Sequence, residues 1–125
     1  MEIFALIGES GTGKSYKALL IAHKYNIDYI IDDGLLIRKD KILAGHSAKK
    51  DKNRIQAIRT AIFEDPSHAH EVIDMIKKAK PAKILIIGTS VRMIDKIIKT
   101  LELPPPKRIL KIEDCLLYTS PSPRD

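Results

Sequence analysis

The chain has 125 residues, of which 44% are hydrophobic, and it carries a formal net charge of +6 at pH 7. Its sole cysteine, Cys115, excludes a disulfide framework and a cysteine-based metal site, and no apolar run approaches the roughly 18 residues that a membrane-spanning helix needs. This length suits one domain with a hydrophobic core. We therefore expect a cytoplasmic protein without a membrane partner, whose positive charge suits an anionic ligand.

The first predicted strand, the loop after it and the first predicted helix form one motif. The apolar run at residues 3–7 predicts a central parallel strand that is covered on both faces. Residues 15–25 predict a helix, because apolar side chains recur there at i, i+3, i+4 and i+7: Ala18, Ile21, Ala22 and Tyr25. The segment between them matches the G-x-x-x-x-G-K-[ST] pattern of the Walker A phosphate-binding loop: Gly8, Glu9, Ser10, Gly11, Thr12, Gly13, Lys14 and Ser15.

The residue types of this loop suit a nucleoside triphosphate. Its glycines let successive backbone N–H groups point at an anion, and the positive end of the helix dipole adds to their attraction. We expect Lys14 to contact the β- and γ-phosphates and the Ser15 hydroxyl to bind Mg²⁺. The loop therefore predicts binding of ATP with Mg²⁺. The alternative is a glycine-rich turn that matches the pattern by chance.

Two carboxylates follow the second predicted strand, residues 27–31. Asp32 and Asp33, which precede Gly34, are expected at the carboxyl end of this strand, where open α/β sheets bind ligands. One carboxylate suits Mg²⁺ bound through water, and the other suits the attacking hydroxyl or water, whose proton it accepts. The alternative is that Asp-Asp-Gly is only a turn, since these residues favour turns.

A hairpin and a basic segment come next. Two apolar runs, residues 35–38 and 41–45, flank a polar pair and predict a small β-hairpin. The segment that follows concentrates basic side chains: Lys49, Lys50, Lys52 and Arg54. It is either a solvated face or a mobile cationic flap over the phosphates or over an acidic substrate, with Arg54 or Arg59 stabilising the transferred group. Three histidines lack the spacing of a metal site, and we expect them at the surface: His46, His68 and His70.

Two consecutive helices are predicted between the hairpin and the third core strand. The first begins at Asn53 and should bury Ile55, Ile58 and Ile62, with Ala57 and Ala61 beside them. The second begins at Asp65-Pro66, and its predicted buried stripe has four members: Val72, Ile73, Ile76 and Ala79.

The third core strand is predicted at residues 83–87 and is followed by Gly88, Thr89 and Ser90. We expect Thr89 near the γ-phosphate, and Ser90 as the N-cap of a helix. That helix should bury Ile94, Ile97, Ile98 and Leu101, and residues 108–114 predict one more strand.

The Walker A loop, the Asp-Asp-Gly after the second strand and the alternation of strands and helices resemble the P-loop NTPase superfamily. Within it the chain is most similar to the small kinases, such as adenylate, shikimate and adenylylsulfate kinases. Residues 32–48 also resemble an uncharacterised family of bacterial ATP-binding proteins. We expect a three-layer α/β fold with a mostly parallel sheet, a central loop strand and the phosphate site at the carboxyl ends of the strands, as in that superfamily. The predicted hairpin at residues 35–45 is expected as an insertion on that edge.

The same resemblance implies roles for particular residues. Lys14, Asp32 and Asp33 are the candidate catalytic residues, and Ser15 and Asp32 are the candidate Mg²⁺ ligands. Residues 8–15 and Thr89 are the candidate ATP-binding residues. The chain departs from many P-loop enzymes after the third core strand, where no Walker B carboxylate follows; Arg92 is a candidate internal arginine finger.

Three hypotheses for the function follow. The first is an NTPase that hydrolyses ATP, and the second is a small-molecule kinase in which Asp32 or Asp33 activates an acceptor hydroxyl. The third is a nucleic-acid-associated ATPase that uses the basic cluster on phosphates. It ranks lowest, because aromatic side chains for base stacking are scarce.

Residues 115–125 resemble the translation, codon by codon, of a transposase adapter end used in library preparation. We therefore interpret them as a non-native tail and exclude them from the fold; the alternative is a natural Ser/Pro-rich tail. On the first interpretation, residues 1–114 are a nucleotide-binding domain that is incomplete at its C-terminal side.

Overall fold

A computed structural model describes residues 1–8, 14–39, 41–48 and 53–112, with residues 14 and 15 described by backbone only. The elements follow each other as β1 (Glu2–Ile7), α1 (Lys14–Tyr25), β2 (Tyr29–Asp32), β3 (Leu35–Arg38), β4 (Lys41–Gly45), α2 (Arg54–Ala61), α3 (Pro66–Ala79), β5 (Lys83–Gly88), α4 (Val91–Thr100) and β6 (Pro106–Lys111). The chain is therefore an α/β protein, as predicted.

The described strands form a six-stranded sheet in the order β4-β3-β2-β5-β1-β6. Neighbouring pairs among β2, β5, β1 and β6 are parallel, whereas β3 is antiparallel to both β2 and β4. β1 lies between β5 and β6 and is parallel to both, as predicted, but it is the second strand from the β6 edge and not the central strand that was predicted.

Helices cover both faces of the sheet. Side chains alternate along β1, so that Ile3 and Ala5 join the core under α3 and α4, whereas Phe4 and Leu6 join the core under α1. The predicted stripes are buried in α1 (Ala18, Ile21 and Ala22), in α3 (Val72, Ile73 and Ile76) and in α4 (Ile94, Ile97, Ile98 and Leu101). The helical periodicity of the sequence thus identified the faces of α1, α3 and α4 that pack on the sheet.

The helix ends follow the expected chemistry. Ser90 and Asp65 cap α4 and α3, each side chain accepting a hydrogen bond from a backbone N–H of the first turn. Asn26 has φ of 58° directly after α1, which is the left-handed conformation of a helix C-terminus.

The predicted β-hairpin exists, but its place in the fold was predicted wrongly. Its strands β3 and β4 extend the main sheet, instead of forming a separate insertion at the ligand edge. The reason is the two-residue turn at Asp33 and Gly34, where φ is 56° and 86°. A turn with two positive φ angles suits the twist of a hairpin and pairs β3 directly with β2. The turn of the β3–β4 hairpin therefore lies at the opposite edge, where the Lys39 N–H donates to the Asp28 carbonyl.

The burial predicted for α2 was also wrong in part. Ile55 and Ile58 are 66% and 55% exposed, whereas Ala61, predicted beside them, is buried. The helix is attached through Ala61 and the buried Thr60. Phe63, two residues after the end of the helix, is fully buried and has φ of 60°. Phe63, which does not belong to the helical repeat of α2, therefore anchors this segment to the core.

The last strand begins at Pro106, two residues earlier than predicted, and residues 113–125 lie outside the described part of the chain. No described helix has the length and apolar character that crossing a membrane requires.

Candidate functional site

Three strand ends meet at the carboxyl edge of the parallel strands. β1 ends at Ile7, β2 at Asp32 and β5 at Gly88. Ile7 is paired with Gly88, and the Gly8 N–H donates a hydrogen bond to the Gly88 carbonyl with an N-to-O distance of 3.1 Å. The segments that follow β1 and β5 therefore start side by side.

The chain leaves these two adjacent strands towards opposite faces of the sheet. After β1, helix α1 buries Ala18 and Ile21 against one face. After β5, helix α4 buries Ile94 and Ile97 against the other. Parallel strands whose connections diverge in this way leave a crevice outside their carboxyl ends, and open α/β sheets bind ligands there. The predicted phosphate-binding segment begins at this crevice.

The predicted loop is described at its two ends. Gly8 follows β1 directly, and α1 begins at Lys14, so a strand and a helix flank the segment as the motif requires. Five predicted ATP-binding residues lie outside the described part of the chain, namely Glu9, Ser10, Gly11, Thr12 and Gly13. The side chains of Lys14 and Ser15 lie outside it too, so their contacts with phosphate and Mg²⁺ stay predictions.

A cleft of about 470 Å³ opens at the same edge of the sheet. Asp32, Asp33 and Thr89, three of the predicted site residues, all line it. Its volume is that of a site for a small molecule or cofactor. The structure thus brings together the predicted residues that follow β2 and β5.

Asp33 is held at the base of the β2–β3 turn. Its backbone carbonyl accepts a hydrogen bond from the Ala48 N–H at 2.9 Å, and its Oδ2 atom accepts one from the Ser47 hydroxyl at 2.6 Å. Asp33 and Gly34 thus form the turn that the sequence offered as an alternative. The two interpretations of Asp-Asp-Gly, a turn and a pair of site carboxylates, are compatible, because Asp33 lies in the turn and also lines the cleft.

The cleft contains cations as well as carboxylates. Arg54 is the first residue of α2, and Arg92 and Lys96 lie one helical turn apart on α4. Arg59 is not among the cleft residues; its Nε atom lies 3.6 Å from a carboxylate oxygen of Glu64. Of Arg54 and Arg59, the two alternatives in the basic segment for stabilising a transferred group, the structure therefore brings Arg54 to the cleft. The other members of the basic cluster, Lys49, Lys50 and Lys52, lie outside the described residues.

Helix α2 presents a mixed face to the cleft. The lining residues Arg54, Ala57, Ile58 and Ala61 follow the helical spacing i, i+3, i+4 and i+7. Ile58, which the apolar periodicity of α2 predicted in the core, thus lines the cleft. Periodicity identifies one face of a helix but does not tell whether protein or ligand covers it.

His68 is the site-adjacent residue that sequence reasoning missed. It was predicted at the surface with His46 and His70, which are exposed, but it is only 3% exposed. Its Nε2 atom lies 2.7 Å from the Gly34 carbonyl oxygen. The signal was its position four residues before Val72 on the buried stripe of α3.

Comparisons with protein families, curated proteins and solved structures find no match for this chain. Its function is therefore inferred from the motif and the geometry of the cleft.

Proposed function

We propose that the chain binds ATP with Mg²⁺ at the crevice between the carboxyl ends of β1 and β5, and that it cleaves the bond to the γ-phosphoryl group. The observation that carries this proposal is the position of the Walker A sequence. It starts at Gly8, directly after an interior parallel strand, and its lysine begins a helix at a point where strand connections diverge.

Each end of the loop has a proposed task. The backbone N–H groups of residues 8–13 and the N-terminus of α1 attract the phosphates, and Lys14 contacts the β- and γ-phosphates. The Ser15 hydroxyl and the Asp32 carboxylate hold Mg²⁺, which neutralises phosphate charge when it is bound.

The residues present fit such an ion. The described residues contain no group of three His, Cys, Asp or Glu side chains arranged for a metal. Mg²⁺ beside a nucleotide does not need one, since one or two carboxylates, waters and the phosphates complete its coordination. Asp32 supplies a carboxylate at the end of β2, in the same cleft as Thr89.

For hydrolysis, we assign Asp33 to the attacking water. The water oxygen forms a bond to the γ-phosphorus, the bond from that phosphorus to the β-phosphate oxygen breaks, and the proton of the water passes to the Asp33 carboxylate. ADP and inorganic phosphate are the products. Arg92 in the cleft wall is positively charged and suits the charge that develops on the transferred group.

A specific observation also favours the kinase hypothesis. The cleft is lined by Thr89 and also by Ala57 and Ile58 of α2, and its volume suits a small acceptor molecule. In that case an acceptor hydroxyl takes the place of water, and its proton passes to Asp33.

Measuring ADP and inorganic phosphate separately tests both candidates. With MgATP alone, the hydrolase predicts equal amounts of the two products. With the correct acceptor, the kinase predicts ADP in excess of inorganic phosphate. Failure to release ADP under either condition, together with failure to bind MgATP, overturns the proposed function.

A further inference from the structure

His68 connects α3 to the turn that carries Asp33. Its ring is buried between two other rings: Phe63 at 4.7 Å and His46 at 4.1 Å between ring centroids. Its Nε2 atom lies 2.7 Å from the Gly34 carbonyl oxygen, and Gly34 directly follows Asp33. A histidine of α3, which packs on the same face of the sheet as α4, thus reaches the cleft-side turn through one hydrogen bond.

The contacts of the ring specify its tautomer. A carbonyl oxygen only accepts, so the 2.7 Å contact requires a proton on Nε2. The His46 N–H, at the longer distance of 3.3 Å, cannot then donate to the same nitrogen. Nδ1 is buried and has no hydrogen-bond partner among the described residues. A proton there would be a buried donor without an acceptor among the described residues, so the structure favours the Nε2–H tautomer.

The backbone around this hydrogen bond is too crowded to move freely. A Cβ atom on Gly34 would lie 2.4 Å from the His46 carbonyl oxygen, and one on Gly45 would lie 2.2 Å from the Gly34 carbonyl oxygen. Gly34, which precedes β3, and Gly45, the last residue of β4, therefore touch through their backbones.

Helix α3 holds both of these glycines. His68 donates to the Gly34 carbonyl, and Glu71, three residues later on the same face, accepts from the Gly45 N–H at 2.7 Å. The two hydrogen bonds fix the chain on both sides of the contact between Gly34 and Gly45. The position of the β2–β3 turn is thus determined from α3.

We propose that His68 is a positioning residue for Asp33, acting through its Nε2–H hydrogen bond to the Gly34 carbonyl. This inference rests on the proposed function, in which Asp33 accepts a proton. The fixed turn directs the Asp33 carboxylate to Ser47 and into the cleft, and its backbone carbonyl to Ala48. His68 does not itself line the main cleft and does not touch the reacting groups.

The first test uses the structure of the turn and requires no activity. Imidazole ¹⁵N spectra of the wild-type protein should show the Nε2–H tautomer of His68. Hydrogen exchange at the Ala48 amide, which donates to Asp33, should become about fivefold faster in His68→Leu, the factor expected when one net hydrogen bond is lost. The Nδ1–H tautomer, or unchanged Ala48 exchange in a folded His68→Leu protein, overturns the proposal.

The second test separates positioning from a purely structural role. His68→Gln retains an N–H donor at a similar reach, whereas His68→Leu has none; His70→Leu, on the exposed side of α3, is the matched control. We expect His68→Leu to lower kcat about 10- to 100-fold with unchanged MgATP affinity, since displacing a catalytic group by ~1 Å costs on the order of 100-fold. His68→Gln should recover most of this loss, and His70→Leu should match the wild type.

Equal loss in His68→Gln and His68→Leu, both folded, overturns the positioning role. If His68→Leu does not fold, the wild-type tautomer and His68→Gln decide the question. Absence of MgATP binding and turnover in the wild-type protein overturns the proposed function instead; the tautomer and the Ala48 exchange then still decide whether His68 holds the turn.

Discussion

The Ser47 hydroxyl donates a hydrogen bond to the Asp33 carboxylate, with 2.6 Å between Oγ and Oδ2. Ser47 follows β4, and Asp33 follows β2, so the bond joins two segments of the chain at the edge of the cleft. Together with the Ala48-to-Asp33 backbone bond, it orients a carboxylate at the place where the proposed reaction needs a proton acceptor.

Asp33→Asn should lower the rate of ADP release by about 100- to 10,000-fold, because general acid–base groups contribute factors of that size. MgATP affinity should stay within a few-fold of the wild type, since Asp33 is assigned to the water or acceptor and not to the phosphates. Steady-state turnover and calorimetry on the same preparation measure both quantities.

Ser47→Ala is the matched variant, because it removes the hydrogen bond and leaves the carboxylate. Its rate should fall less than that of Asp33→Asn. Unchanged turnover in Asp33→Asn would contradict the assignment of Asp33.

Gly34→Ala should lower the free energy of unfolding by about 1–3 kcal/mol, the usual cost of a strained backbone position. Gly34 has φ of 86°, and an added Cβ atom would lie 2.4 Å from the His46 carbonyl oxygen. Denaturant unfolding measures the difference. Lys39→Ala is the control, because Lys39 also has positive φ but already carries a Cβ atom; equal effects of the two substitutions would show that the close contact at Gly34 is unimportant.

Phe63→Ala should lower the free energy of unfolding by about 3–5 kcal/mol, as is usual for truncating a buried aromatic side chain. Ile55→Ala, at a position that is 66% exposed, should change it by less than about 0.5 kcal/mol. Thermal or denaturant unfolding of the two variants provides the comparison. A larger loss in Ile55→Ala would restore the burial that the periodicity of α2 predicted.

Most elements could be predicted from local sequence, because local chemistry determines them. The apolar run of β1, the caps Asp65 and Ser90, and the stripe of α4 each depend on residues within a few positions of one another. The places of three candidate site residues in the fold were predictable in the same way, whereas their roles stay predictions. The predicted carboxylates and Thr89 follow strands that proved to be parallel neighbours in the sheet.

The rest depended on contacts between distant parts of the chain. The role of His68 depends on a carbonyl 34 residues earlier in the sequence. The attachment of α2 depends on Phe63, whose positive φ places it outside the helical period. The extension of the sheet by β3 depends on the Asp33-Gly34 turn. Both residues have positive φ there, and this conformation pairs β3 with β2.

The central claim is that residues 8–15 bind the phosphates of ATP, and calorimetric titration of the protein with MgATP tests it most directly. We predict saturable binding by the wild-type protein and about 100-fold weaker binding by Lys14→Ala, since a hydrogen bond to a charged group contributes about 1.5–3 kcal/mol. Lys17→Ala, three residues further along α1, is the control and should bind like the wild type. Far-ultraviolet circular dichroism should show that all three proteins are folded. Equal MgATP affinity of folded Lys14→Ala and wild-type protein would contradict the claim, and so would the absence of binding by the folded wild-type protein.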